Sequence, residues 1–251
     1  MPVTLITGAS TGIGAALALE LARRGHSVGL IARRSELLAE LAGRIEQAGG
    51  KAAYAAVDVT RKDDLEAAVR ELESRLGPCD LLVANAGSGT PTHAKKNPVA
   101  DIEWMIDINV RGVLYAVGAV LPGMVERKRG HVAAVSSVAG FRGLPAHAGY
   151  SASKAYVTTM FESFRVDLRP LGIACTAIHP GYIDTPLTRK NKFYMPWLMS
   201  AEKAAKIIAD GLDRRKAEVT FPWQMYLLMS FARLVPNWIY DRLVTRAAPG
   251  K

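Results

Sequence analysis

Cysteine is scarce in this chain. The two present, Cys79 and Cys175, stand far apart in 251 residues, each beside apolar stretches. Nothing calls for an oxidising compartment, and buried free thiols are expected. Histidine is almost as sparse: His26, His93, His131, His147 and His179 are scattered without ligand spacing, so no metal site is expected. The opening Met1-Pro2-Val3-Thr4-Leu5-Ile6-Thr7 has no basic segment leading into a long apolar one, so no signal peptide is expected. No uninterrupted apolar run reaches the ~20 residues of a membrane-spanning helix. A Gly-x-Ser-x-Gly turn is missing, which argues against a serine hydrolase. Linkers, repeats and low-complexity tracts are missing too, so residues 1–251 read as one domain. The expected location is cytoplasmic. The net charge is +9, but its basic residues are scattered rather than blocked and no aromatic–basic interleave marks a nucleic-acid face, so nucleic acid is not an expected partner. An anionic small ligand, an anionic membrane surface or plain solubility remains open for that charge.

What the chain does have is alternation. Val3 to Thr7 is a short β-branched run, and Ile13 to Arg24 then reads as a helix stopped by Gly25. Val28 to Ala32 is a second strand, followed by a helix for which Ser35 is the expected N-cap and Gly49-Gly50 the end. Ala53 to Val57, a helix capped by Thr60, and Leu81 to Ala84 repeat the unit. A long apolar helix is expected from about Met105 to Val125, then strands at His131 to Val135 and Ile173 to Ile178 around a helix from about His147 to Arg169. A helix over Glu202 to Leu212 and a short strand near Val219 complete the pattern. Near-continuous apolar strands between amphipathic helices imply α/β architecture: a doubly wound parallel sheet of about seven strands, helices on both faces. Two segments break the alternation. Residues 185–199, with Pro186, Pro196, Trp197 and the cations Arg189, Lys190 and Lys192, read as a mobile flap. Residues 221–251 form an apolar C-terminal extension rich in aromatics. Lid or subunit packing is its ordinary reading. Trp197, Trp223 and Trp238 could instead line a greasy entrance or rest on a membrane, with Arg233, Arg242 and Arg246 suited to anionic headgroups.

Between the first strand and first helix stands Thr7-Gly8-Ala9-Ser10-Thr11-Gly12-Ile13-Gly14. A dinucleotide pyrophosphate needs a helix N-terminus whose N–H groups and partial positive charge face it, and glycines let the backbone come close. The second strand ends Ile31-Ala32-Arg33-Arg34 with no acid to bind a ribose 2′-hydroxyl. Two guanidinium forks suit a 2′-phosphate, so NADP(H) is the expected cofactor. Further on, Tyr150 and Lys154 are four residues apart at the start of a helix and so share a face. An ammonium there would stabilise phenolate and lower the tyrosine pKa from its usual ~10, giving an acid and base usable nearer neutrality. Ser136-Ser137 ends the preceding strand, where ligands of parallel sheets bind, and a hydroxyl there can donate to an oxygen gaining negative charge.

Taken together, these motifs resemble the short-chain dehydrogenase/reductase family, in its short single-domain branch, over residues 3 to about 220. The glycine turn matches the family's Thr-Gly-x-x-x-Gly-x-Gly. Asp58, followed by Val59, matches its adenine-contacting acid; Asn85-Ala86-Gly87 its Asn-Ala-Gly; Asn109 its helical asparagine; Pro180-Gly181 its Pro-Gly turn. Ile183 and Thr185 resemble its contacts to the nicotinamide end. The family serine stands thirteen residues before the tyrosine, which selects Ser137 (150 − 137 = 13) over Ser136. The resemblance implies a Rossmann fold and an NADP(H)-dependent carbonyl reductase or alcohol dehydrogenase, its substrate lipophilic if the apolar flap and tail line its path. It implies a catalytic tetrad: Tyr150 as proton donor and acceptor, Ser137 polarising the substrate oxygen, Lys154 lowering the Tyr150 pKa and holding ribose hydroxyls, Asn109 fixing a water. Arg33 and Arg34 resemble the family's NADP-type solution. Thr11 stands where some NADP members carry a basic residue, so selectivity would rest on the arginine pair. A homodimer or homotetramer is expected. A nucleotide-binding regulator without turnover, or a peripheral membrane protein organised by the tail, are the competing readings. The intact Ser137, Tyr150 and Lys154 argue against the regulator.

Overall fold

A computed structural model of the chain describes residues 1–191 and 193–247. Lys192 and the side chain of Arg246, both counted above among the flap and tail cations, lie outside the described residues. Strand β1 (Val3–Thr7) is buried at every position, because the pleat sends Val3 and Leu5 into one core and Ile6 into the other. Three helix–strand units follow: α1 (Gly12–Arg23) and β2 (Ser27–Ala32), α2 (Ser35–Gln47) and β3 (Lys51–Ala56), α3 (Lys62–Leu76) and β4 (Leu81–Ala84). The expected caps shift by one residue. Arg34, not Ser35, is the N-cap of α2, and Arg61, not Thr60, that of α3; the Thr60 N–H is instead taken by Asp58 Oδ1 at 3.0 Å.

The long apolar helix begins earlier than Met105. Helix α4 (Val99–Ile106), a π-helical turn (Asp107–Arg111) and α5 (Gly112–Glu126) run on as one 28-residue rod, following Pro98 at the N-cap. Its length and composition would suffice to cross a membrane, yet half of its most apolar window is buried within the fold. The chain continues through β5 (Gly130–Val135), α6 (Ala148–Leu168), β6 (Ile173–Pro180), β7 (Ile183–Asp184), β8 (Met199–Ser200), α7 (Ala201–Asp213), β9 (Glu218–Phe221), α8 (Trp223–Leu234) and α9 (Asn237–Ala247).

Seven strands form one sheet in the order β3-β2-β1-β4-β5-β6-β9, parallel at every pairing. Helices α1, α2 and α7 cover one face and α3, α5 and α6 the other, each over its own apolar core. Phe161 is the largest fully buried side chain; truncation of such a ring costs about 3–5 kcal/mol. The strand order reverses beside β1: β2 and β3 extend one way, β4 to β9 the other. The crevice beyond the carboxyl ends of β1 and β4 is where such sheets bind ligands.

Candidate active site

Thr7, at the end of β1, ties that crevice together. Its hydroxyl accepts from the Asn85 and Ala86 N–H groups at 3.1 and 3.0 Å, and Asn85 Nδ2 donates to the Thr7 carbonyl at 3.0 Å. The turn after β1 is thereby clamped to the end of β4. Gly8 sits there at φ +67°, and a Cβ on it would come within 2.7 Å of Ala86 Cα, so only glycine fits. The crevice measures about 310 Å³. Of the expected nucleotide residues, Gly8, Ser10, Thr11, Gly12 and Ile13 line its first turn; Arg33, Arg34, Asp58 and Val59 its outer end. Asn85, Ala86, Gly87, Pro180, Gly181, Ile183 and Thr185 line the rest, with Ser137, Tyr150 and Lys154 at the far wall. Gly14 is the exception. It lies behind the wall, where a side chain would strike the Gly8 carbonyl.

The cradle suits a polyanion. Among the described residues no side chain caps α1, and its first turn holds no acid. Its opening N–H groups therefore face the crevice with the positive end of the helix dipole. Arg34 Nη2 donates to Ser10 Oγ at 2.9 Å and Thr11 Oγ1 at 3.0 Å, which brings a guanidinium over the same turn. Arg33, on the surface, lies 3.5 Å from Asp58 Oδ2. Both arginines stand exposed at the crevice rim and can reach an incoming phosphate.

At the other end of the crevice, α6 starts at Ala148 and presents Tyr150 and Lys154 one turn apart. Lys154 is 4% exposed; its Nζ donates to the Val135 carbonyl at 2.7 Å and lies 5.8 Å from the Tyr150 ring centre. Burial without a carboxylate partner pushes its pKa down to about 8. For Tyr150 burial is also the largest influence, and it raises the phenol above its usual range, while the neighbouring Ser137 hydroxyl opposes the rise. The two serines separate as strand alternation requires. Ser136 Oγ turns back to donate to the Lys154 carbonyl at 2.7 Å, whereas Ser137 Oγ accepts from Ala139 N–H and reaches only a weak acceptor, the Pro180 carbonyl at 3.4 Å. Asn109 does not line the crevice. Fully buried in the π-turn, it accepts from Ser88 N–H at 2.8 Å and donates to the Ser88 carbonyl and Ser153 Oγ, each at 2.9 Å.

A second cavity of about 300 Å³ adjoins the first. Ser137, Tyr150, Gly181, Leu187 and Thr188 belong to both. Its remaining walls are mainly apolar: Val138, Leu144, Tyr182, Phe193, Pro196, Met225, Leu228 and Met229. The expected flap is pinned at its base by pairing of Ile183 with Met199 and Asp184 with Ser200, and passes over both cavities at Leu187 and Thr188. His147 lines the second cavity while His93 is exposed away from it. Trp197, Trp223 and Trp238 line neither cavity; they are exposed at 45%, 66% and 72%. Sequence reasoning missed Met225 and Met229, though their four-residue spacing is a helical signal. It also missed the polar chain behind Lys154, in which Thr158 bonds Ser136 at 2.8 Å and His179 at 3.2 Å.

Over residues 2–193 the sequence matches the short chain dehydrogenase family. An uncharacterized oxidoreductase of Myxococcus xanthus is 46% identical over 242 residues, covering 96% of each chain. A solved short-chain dehydrogenase from Sphingobium yanoikuyae, in complex with NADPH, superposes with TM-score 0.81 at 29% identity, over 93% of this chain and 94% of that one. An alcohol dehydrogenase from Thermococcus sibiricus, complexed with 5-hydroxy-NADP, gives 0.81 at 25% identity, over 88% and 96% of the two chains. Because the likeness extends over nearly the whole of both chains and well beyond the motifs, this chain is an oxidoreductase of the short-chain dehydrogenase/reductase family, whose members bind a nicotinamide cofactor.

Proposed function

We propose that the chain is an NADP(H)-dependent carbonyl reductase, or in reverse an alcohol dehydrogenase, for a lipophilic substrate. One observation carries the reading: Ser137 and Tyr150 stand in the wall common to a polar, anion-ready crevice and a mainly apolar cavity. Gly8 to Ile13 would hold the dinucleotide diphosphate, Asp58 and Val59 the adenine, and Arg33 and Arg34 a 2′-phosphate. Asn85 to Gly87, Pro180, Gly181, Ile183 and Thr185 would flank its nicotinamide half, with Lys154 on the ribose hydroxyls. The bound dinucleotide supplies the hydride in reduction and accepts it in oxidation.

Everything else falls to side chains. Tyr150 Oη gives its proton to the carbonyl oxygen, or takes one from the alcohol in reverse. Ser137 Oγ exchanges its long bond to Pro180 for one to the same oxygen, which it polarises. Lys154, while protonated, offsets the burial that lifts the phenol. Asn109 acts by positioning: its carboxamide is committed to Ser88 and Ser153, so any water held there meets main-chain oxygen in the π-turn rather than the side chain. The apolar cavity excludes water from the reacting carbon. In a panel of ketones and alcohols, Tyr150→Phe is expected to lose about 10²–10⁴-fold in turnover, with NADPH fluorescence titration unchanged. A variant turning over at the wild-type rate would overturn the mechanism.

A further inference from the structure

Twenty large apolar side chains are exposed among the described residues, and thirteen of them lie in residues 187–198 and helices α8 and α9. They are ordered by the helix repeat. On α8, Met225 and Met229 face inward, while Trp223, Leu227, Phe231 and Leu234 form an outward stripe at 66%, 55%, 68% and 81% exposure. A helix apolar on both faces is normally buried on both. Cations stand among these side chains: of the described charged residues in 185–199 and 223–247, Arg189, Lys190, Arg233 and Arg242 are exposed against the single acid Asp241. Arg189 is paired to Asp184 just outside it. Three of the chain's four tryptophans are here, the residue type that settles at a lipid–water boundary with its ring in the apolar layer.

We propose that this face docks the protein on an anionic lipid bilayer. Self-association through the same face is disfavoured by its charge, since an isologous contact sets the basic patch against its own copy, whereas anionic headgroups complement it. The exposed Phe193 and Leu228 also line the second cavity, so the face runs into the cavity mouth. Under the reading of the preceding section, a lipophilic substrate can then pass from lipid to catalytic wall.

Vesicle co-sedimentation tests the docking without turnover. Full-length protein is expected to bind phosphatidylcholine vesicles containing phosphatidylglycerol about ten-fold more strongly than phosphatidylcholine alone, and to come off in high salt. The double variant Phe231→Ser, Trp238→Ser, with circular dichroism confirming its fold, should lose about ten-fold in binding. Tyr150→Phe should sediment like the wild type, so loss of the redox reading and loss of this one are separately visible. The proposal is overturned if neither vesicle binds, if the double variant binds undiminished, or if light scattering shows self-association that the double variant abolishes.

Discussion

Lys154 is held in a place that stability alone would not choose. Its ammonium is nearly buried and has one neutral acceptor, the Val135 carbonyl, and its pKa falls to about 8. The unfolded chain releases that proton only near 10.5, so between about 8 and 10.5 the unfolded state holds more protons and stability rises with pH. Below about 8 the folded state bears a charge it solvates poorly. Lys154→Met, similar in length and uncharged, is therefore expected to stabilise the cofactor-free protein at pH 7 by about 1–3 kcal/mol. Urea denaturation should show that gap closing as pH rises towards 10; a variant less stable at pH 7 would mean that the ammonium is solvated better than its surroundings suggest. The same variant should lose turnover. Tyrosine and lysine were legible because four-residue spacing on a helix fixes which side chains share a face. The direction of the tyrosine shift was not. Sequence puts an ammonium near the phenol and so lowers its pKa, but the depth of burial, which raises it, is a property of the packed fold.

Among the elements, the π-turn in the α4–α5 rod carries the most consequence for the site. It sets Asn109 inward between the loop after β4 and helix α6, where the carboxamide makes three hydrogen bonds at 0% exposure. Asn109→Leu keeps the branched heavy-atom shape but strands the Ser88 main-chain donor and acceptor, so a loss of about 2–4 kcal/mol in denaturant unfolding is expected. A loss under about 0.5 kcal/mol would mean that water replaces the carboxamide freely. The strands were readable because burial on both faces leaves continuous apolar runs, and the glycine turn because it needs a conformation few residues adopt. Helix starts were less so. Arg34 displaces Ser35 at the head of α2 because its position answers to the crevice, where it bonds Ser10 and Thr11, rather than to capping. The apolar cavity was legible only as an excess of aromatics. Its walls come from the loop after β4, the turn after β5, the start of α6, the turn after β6, the flap and α8, and no local pattern records which of those side chains turn inward.

Across the whole molecule, the crevice proposed for the dinucleotide draws on the ends of β1, β2, β3, β4, β5 and β6, so a ligand there would brace six of the seven sheet strands at once. Binding to the folded state alone adds stability by mass action, about 2.7 kcal/mol at a hundred-fold excess over the dissociation constant. For a chain of this size that corresponds to a rise of about 5–10 °C in melting temperature. Selectivity enters through the rim. Arg34 lies at the crevice edge bonded to Ser10 and Thr11, and Arg33 stands beside Asp58, so both exposed guanidinium groups sit where a 2′-phosphate would arrive. NADPH should therefore raise the melting temperature well beyond NADH at equal concentration. In Arg33→Ala, Arg34→Ala the NADPH shift should fall to the NADH level while the NADH shift stays put, because a 2′-hydroxyl never engaged the guanidinium forks. Equal shifts from both nucleotides in the wild-type chain would mean that the arginines hold the rim for another reason, and that the cofactor is chosen elsewhere along the crevice.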